Sequence, residues 1–508
     1  MKKVITVLVI VVSLIALIFG AILIYSKYIS MKFADLPGIV TVSNAALTDA
    51  DGSNDIAITI DSRETIHEIS PFIYGTSWAN WLDILPPKKA VEMLNFPIIR
   101  FGGNDFSRFD PVTEIFYKPD KEEKLKHPIG EAAAWFAESG AEIILQINML
   151  GIAIDPVTQE RFPISTPEDA IGFIVKMKND YGVEIKHVNL DNEPFIWFDT
   201  HKDLHPKSTS YDEYLEKFIS YAKAVKEYDN TIMVMGPESC NPHFYCTSNS
   251  GEDAGKGVWL EYFLRACYEY EQEHGTRLLD VLSVHRYPIF RDPNRTEITA
   301  SNQHILNAAR DWWDEQYTDT IDPDPGNGLI PKLKRLIGEH YPGTKLAVTE
   351  YNLDYDSTIR YDPVIRAIWL ADTLGIFARH GVDYANFWTL QGGGEQGLMT
   401  NGQFTVGGET YGEKRPSFYS FYLLSNFLRG TMVNAASSHD NIKVYGAVQG
   451  DTLNMIVINT DVENDYNCNI FSDHQSINSK SYLFKSKSIT VFEINGDLLN
   501  IYRCDFAD

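Results

Sequence analysis

Cysteine is scarce in this chain. There are five in 508 residues, none in a Cys-x-x-Cys pair, so a zinc knuckle or ribbon is excluded. Positive charge is short as well: 44 Lys+Arg stand against 69 Asp+Glu, a net charge of −25. A surface of that sign repels phosphate backbones, which excludes a nucleic-acid partner. A phosphate-cradling loop is missing too. Gly392-Gly393-Gly394 is followed by neither a P-loop lysine nor a helix start, and reads as a rim loop. Long apolar runs are confined to one place, Val4 to Tyr25.

What is present is globular usage. Hydrophobic residues are 44% and charged residues 22%, which excludes disorder, collagen and coiled coil. Aromatics reach 12%, and Trp and Tyr are the side chains that stack on flat, neutral ligand faces. The N-terminal run has 22 residues, enough to span a bilayer at ~20 residues per hydrocarbon core. It is too long for a cleaved signal, and no small-x-small site follows it. The expectation is therefore an uncleaved anchor with the rest of the chain outside the cell. Cysteine spacing permits Cys468–Cys504 and Cys240–Cys246 pairs with Cys267 as a buried thiol, or five free thiols.

From residue 70 short β-branched runs alternate with amphipathic helical stretches, the pattern of parallel strands with crossover helices. Eight runs are legible: Pro71–Tyr74, Ile98–Phe101, Ile143–Ile147, His187–Leu190, Ile232–Met235, Val281–Val284, Leu346–Thr349 and Tyr384–Trp388. Helix starts lie between them, such as Thr166-Pro167-Glu168-Asp169 and the capping box Ser210-Tyr211-Asp212-Glu213. Eight repeats predict an α/β fold, a (β/α)8 barrel. After Phe427 the pattern changes to alternating strands. The expected organisation is an anchor at 1–25, a linker at 26–53, one sandwich strand at 54–70, the barrel at 71–430 and an all-β sandwich at 431–508.

Barrel sites lie at the C-terminal strand ends. Strand two ends Arg100-Phe101-Gly102-Gly103-Asn104, strand four Asp191-Asn192-Glu193-Pro194, strand six His285-Arg286-Tyr287-Pro288, and strand seven Thr349-Glu350-Tyr351-Asn352. Two rim carboxylates, Glu193 and Glu350, suit retaining glycoside hydrolysis, which needs an acid/base and a nucleophile ~5–5.5 Å apart. Arg100 is expected beside the nucleophile, Tyr287 as its hydrogen-bond donor and Asn192 as a donor to a sugar hydroxyl. Asn104 and His285 join the expected substrate-binding set. Trp78, Trp81, Trp197 and Trp388 are its stacking candidates, each at or just past a strand end.

The segment His187–His205 (HVNLDNEPFIWFDTHKDLH) with Pro206 resembles the acid/base region of glycoside hydrolase family 44. So do Tyr74-Gly75, Trp78 through Trp81, Leu85-Pro86, Arg100–Asn104, Arg277–Leu282, Trp313-Asp314 with Tyr317, and Tyr341–Asn352. The resemblance runs in order over roughly residues 55–430. It implies endo-acting β-1,4-glucanase or xyloglucanase activity on a barrel plus β-sandwich, with Glu193 as acid/base and Glu350 as nucleophile. The chain departs from the family where Phe101 and Arg286 replace tryptophans and where Leu353-Asp354 follows Asn352. Arg286 is thereby expected to select a decorated or acidic glycan.

The expected partner is a β-glucan-type polysaccharide, with the membrane as second partner through the N-terminal helix. No cofactor is expected. His201 and His205 have i, i+4 spacing but no third ligand, so they are read as fixing their loop rather than holding zinc. The acidic turn Asp322–Gly328 offers a structural calcium at most, and a solvated loop is the preferred reading. Two other readings remain open: an exo-acting arabinosidase or xylosidase of the same clan, and a surface glycan-binding protein without turnover.

Overall fold

The computed structural model describes residues 38–50, 55–78, 85–151, 153–154, 161–162, 165–292, 294, 296–392, 396–402 and 410–506. The expected anchor, Trp81 and Gly393-Gly394 lie outside these residues. Among the described residues no helix is long and apolar enough to cross a membrane.

Eight parallel strands close into a barrel: β1 Gly75–Trp78, β2 Ile98–Phe101, β3 Glu142–Ile147, β4 His187–Leu190, β5 Met233–Cys240, β6 Val281–Arg286, β7 Lys345–Tyr351 and β8 Tyr384–Phe387. A helix follows each: α1 Lys88–Leu94, α2 Ile129–Ala137, α3 Pro167–Tyr181, α4 Tyr211–Tyr228, α5 Trp259–His274, α6 Leu329–His340, α7 Pro363–Arg379 and α8 Pro416–Phe427. The expected first strand, Pro71–Tyr74, is instead a 3-10 turn. Pro71 has no N–H for a ladder, and the Ser70 hydroxyl accepts from Phe72 N, so the strand begins only at Gly75.

Local signals set the helix ends. Thr166 and Asp169 exchange bonds in a complete capping box, and left-handed Gly182 ends α3. At α4 only half of the expected box forms. Ser210 caps Glu213 N, but the Glu213 carboxylate is taken by His205 at 2.7 Å. Helices α7 and α8 are buried almost all round, which a helix tolerates only between two packed layers.

The second layer is a ten-stranded sheet. Its strand Ala57–Glu68 comes from the N-terminal side and lies between Thr431–Ser437 and Tyr466–Ser472. Residues expected in the linker also join it. Ile39–Val42 pairs with Leu498–Asp505 and Thr48–Asp49 with Lys480–Phe484, so short polar segments with one buried isoleucine close both edges. Side chains alternate: Leu453, Met455 and Val457 face the sheet's own core, whereas Ile456 and Ile458 face the barrel helices. The same alternation separates Cys468 from Cys504, and all five cysteines are free thiols.

Arg286 does not reach the substrate side, contrary to the expectation that it selects a glycan. It is buried, donating to Asp311 at 2.9 Å and to Asp322. Asp311 in turn accepts from Gly326 N and Asn327 N, so this ion cluster anchors the excursion between β6 and α6. Asp322 is therefore paired and buried rather than a solvated loop carboxylate. Removing one partner of a buried ion pair strands the other charge. Arg286→Met should cost about 3–5 kcal/mol of stability, read as a lower urea midpoint with an unchanged slope.

Candidate active site

The barrel interior is layered. Ile98, Ile144, Met235, Val281, Ala347 and Tyr384 form an apolar floor. Because side chains alternate along a strand, two residues further up the same faces carry Arg100, Gln146, Ser283, Thr349 and Asn386, all buried. Polar side chains there must find partners within the barrel, and the C-terminal rim supplies them.

Glu193 and Glu350 meet across the mouth. One oxygen of each, together with a ring nitrogen of His285, lies within 4.8 Å of the others. Glu350 is held by Arg100 Nη1 at 2.6 Å and by the Tyr287 hydroxyl at 2.7 Å. Arg100 Nη2 also donates to Asn192 Oδ1 at 2.7 Å, and Asn192 Nδ2 donates to Asn104 Oδ1 at 3.0 Å. Glu193 takes a left-handed backbone, φ +44°, which turns its side chain toward His285 Nδ1 at 2.8 Å. Asp191 holds that turn in place, accepting from Met149 N, Leu150 N and Asn192 N and from the Ser107 hydroxyl.

A third carboxylate, Glu238, went unread in the sequence. It sits at a bulge in β5 between Pro237 and Ser239, with φ +53°. Its Oε2 accepts from His285 Nε2 at 2.9 Å and the Thr349 hydroxyl at 2.6 Å, and stands 3.4 Å from Arg100 Nη2. The signal was a carboxylate just after Gly-Pro at a predicted strand end, three residues beyond the expected Met235.

Burial dominates the electrostatics. It opposes charge on His285, but Glu350, Glu193 and Glu238 together outweigh it and push that histidine up to about 9. Burial raises the Glu193 carboxyl, with Glu350 adding to it and the His285 bond opposing it. Burial would raise Glu238 too, but Arg100 and His285 bring it below its ordinary value. Both His285 nitrogens face carboxylate oxygens, Nδ1 that of Glu193 and Nε2 that of Glu238, an arrangement suited to a doubly protonated ring.

A cleft of about 810 Å³ opens above the pair, lined by Asn104, Asn192, Phe244, Tyr287, Tyr355, Arg360 and Trp388 among others. Of the expected stacking tryptophans among the described residues, only Trp388 lines it. Trp78 is buried against Phe101, its ring centroid 5.0 Å away. Trp197 is buried with its Nε1 donating to Asn192 O at 2.8 Å, so it braces the β4 turn instead of stacking on substrate. His201 is also a brace. Its Nδ1 accepts from Arg108 Nε at 3.0 Å, and burial with Arg108 alongside brings it down to about 3.

Residues 151–289 match the model of glycoside hydrolase family 44. The chain is 30% identical over 325 residues to Endoglucanase A of Paenibacillus lautus, covering 59% of this chain and 43% of that protein. It is 28% identical over 354 residues to Beta-mannanase/endoglucanase A of Caldicellulosiruptor saccharolyticus, covering 62% of this chain and 25% of that one. It thus spans less than half the length of either relative. Among solved structures, CelM2, a bifunctional glucanase-xylanase from a metagenome library, superposes with a TM-score of 0.70 at 21% identity, over 88% of this chain and 99% of that one. The family-44 resemblance read in the sequence is borne out.

His285 also makes stability depend on pH. Its folded value, about 9, exceeds the unfolded value of about 6.5, so its contribution is complete below about 6.5 and is lost as pH rises through about 9. The urea midpoint of the wild type should fall between those values, and His285→Gln should flatten that stretch of the curve.

Proposed function

We propose that this chain is a retaining glycoside hydrolase of family 44 that cleaves internal β-1,4 bonds of a glucan-type polysaccharide. The observation that carries the reading is the Glu193–Glu350 pair, with carboxylate oxygens within 4.8 Å across the barrel mouth. Retaining hydrolysis needs two carboxyls ~5–5.5 Å apart, whereas inversion needs room for a water between them.

In this reading Glu193, its carboxyl raised by burial, protonates the leaving oxygen while Glu350 attacks the anomeric carbon. Glu193 then takes the proton of the water that hydrolyses the glycosyl-enzyme. Arg100 and Tyr287 fix the nucleophile's two oxygens, so it meets the sugar in one orientation. Asn192 and Asn104 line the cleft where sugar hydroxyls would lie, and Trp388 offers a stacking face. The matched relatives are described as an endoglucanase, a mannanase/endoglucanase and a glucanase-xylanase. The endo-acting names of the two curated relatives and the open cleft favour internal attack over exo-cleavage or binding alone. The apolar run Val4–Tyr25 supports a tether that holds the enzyme at the outer face of a membrane.

On cellulose derivatives, xyloglucan and mannan, Glu350→Gln should abolish turnover and leave folding intact. Glu193→Gln should lose about 10²–10⁴-fold in kcat. Viscosity should drop before monosaccharide appears. Monosaccharide as the first product would replace the endo reading by the exo one, and full activity in Glu350→Gln would refute the assignment of the pair.

A further inference from the structure

Glu238 touches no part of the cleft, yet it is fully buried and ionically tied to both cations of the site. A charge placed there needs a reason, because a buried carboxylate is costly unless paired. Its contacts supply one. With Glu193 carrying the proton the reaction requires, Glu238 and Glu350 are the two anions, and Arg100 and a doubly protonated His285 are the two cations. The cluster is then neutral. Without Glu238 the same site holds a surplus positive charge beside an acidic proton.

We propose that Glu238 is a positioning residue: it is the buried counter-charge that keeps His285 an imidazolium bridging Glu193 and Glu238, unable to accept a further proton, and that offsets the imidazolium's pull on Glu193, so that the proton needed for catalysis stays on Glu193. The catalytic half of this statement rests on the retaining reading above; the charge assignment does not.

Geometry supports it from every side. On β5, Glu238 Oε2 accepts from His285 Nε2 at 2.9 Å, while just past β4 Glu193 Oε1 accepts from Nδ1 at 2.8 Å. From β7, Thr349 Oγ1 donates to the same Glu238 oxygen at 2.6 Å, and Glu350 Oε2 stands 3.7 Å from His285 Nδ1. From β2, Arg100 lies 3.4 Å from Glu238. Other titratable groups facing the cluster include Tyr287, the Cys240 thiol, Tyr214 of α4 and Tyr245, whose hydroxyl donates to the His285 carbonyl. Burial pushes all four well above their ordinary values, which leaves them neutral. The imidazolium is thus held between two carboxylates and oriented by both.

The test uses the full chain with ¹⁵N-labelled histidine, the His285 signal being identified by its loss in His285→Gln. In the wild type the ring should stay doubly protonated through neutral pH. In Glu238→Gln its midpoint should fall by about one unit or more. The alkaline limb of kcat/KM should move to lower pH by a similar amount, because the surplus positive charge sheds a proton sooner. In that variant kcat should drop at least about tenfold with KM changing less than about threefold, the split expected when only the reacting state is affected.

Glu238→Asp retains the charge and should keep both the histidine midpoint and the limb near wild type, even with a lower kcat. If Glu238→Gln does not fold, Glu238→Asp and the wild-type titration decide the matter. A wild-type His285 that loses its proton below about pH 6.5 overturns the proposal. So does a folded Glu238→Gln with an unchanged midpoint and limb. A wild type that cleaves none of the polysaccharides defeats the retaining reading alone, and the histidine titration still decides the charge assignment.

Discussion

Three carboxylates and two cations share the mouth of one barrel, almost completely removed from water. Their charges must balance there, because water is not available to compensate them. Arg100 carries the largest share of that balance. It reaches up from β2, one pleat above the apolar floor, and its two terminal nitrogens contact Glu350, Asn192 and Glu238. A lysine could not make those contacts together, since its donors radiate from a single point rather than a planar fork. His285 is the second cation and joins the carboxylates that Arg100 does not hold together.

The surrounding architecture serves to hold those groups still. The floor of Ile98, Ile144, Met235, Val281, Ala347 and Tyr384 closes the barrel from below. The turns that carry Asp191, Glu193 and Glu238 have left-handed backbones, a conformation that persists in such residues only where surrounding bonds enforce it. Asp191 collects three backbone amides and a hydroxyl, and Trp197 ties the Asn192 carbonyl. Farther out, Arg286 with Asp311 and Asp322, and Arg108 with Asp203 and His201, fasten the loops that form the rim. The ten-stranded sheet contributes from outside, covering α7 and α8 so that two largely apolar helices can follow β7 and β8.

Much of this was legible in the sequence, for identifiable reasons. Seven of the eight barrel strands were visible because parallel strands buried on both faces read as short β-branched runs. The first was displaced by a few residues, since Pro71–Tyr74 is as apolar as a strand and only the missing N–H marks it as a turn. Glu350 was legible because it directly follows such a run, and Glu193 because the Asp191-Asn192-Glu193-Pro194 segment closes one. Glu238 was not, because its strand continues past the apolar segment through Gly-Pro and a bulge that no hydrophobic period records. The tryptophans misled in the opposite direction. Position at a strand end says that Trp78 and Trp197 are near the site, but not whether the ring faces the cleft or the packing beneath it.

The sequence by itself determined the eightfold alternation of strand and helix in the barrel, its order along the chain and the two rim glutamates, because these depend on local periodicity, caps and chain direction. Tertiary structure alone decided which distant charges meet. Arg100 and Glu350 are 250 residues apart along the chain and 2.6 Å apart in the barrel. Arg286 is next to His285 in sequence, yet it points into a separate ion cluster. Closure of the barrel brings β2, β4, β5, β6 and β7 to one mouth, and alternation along each strand then selects which side chains share its interior.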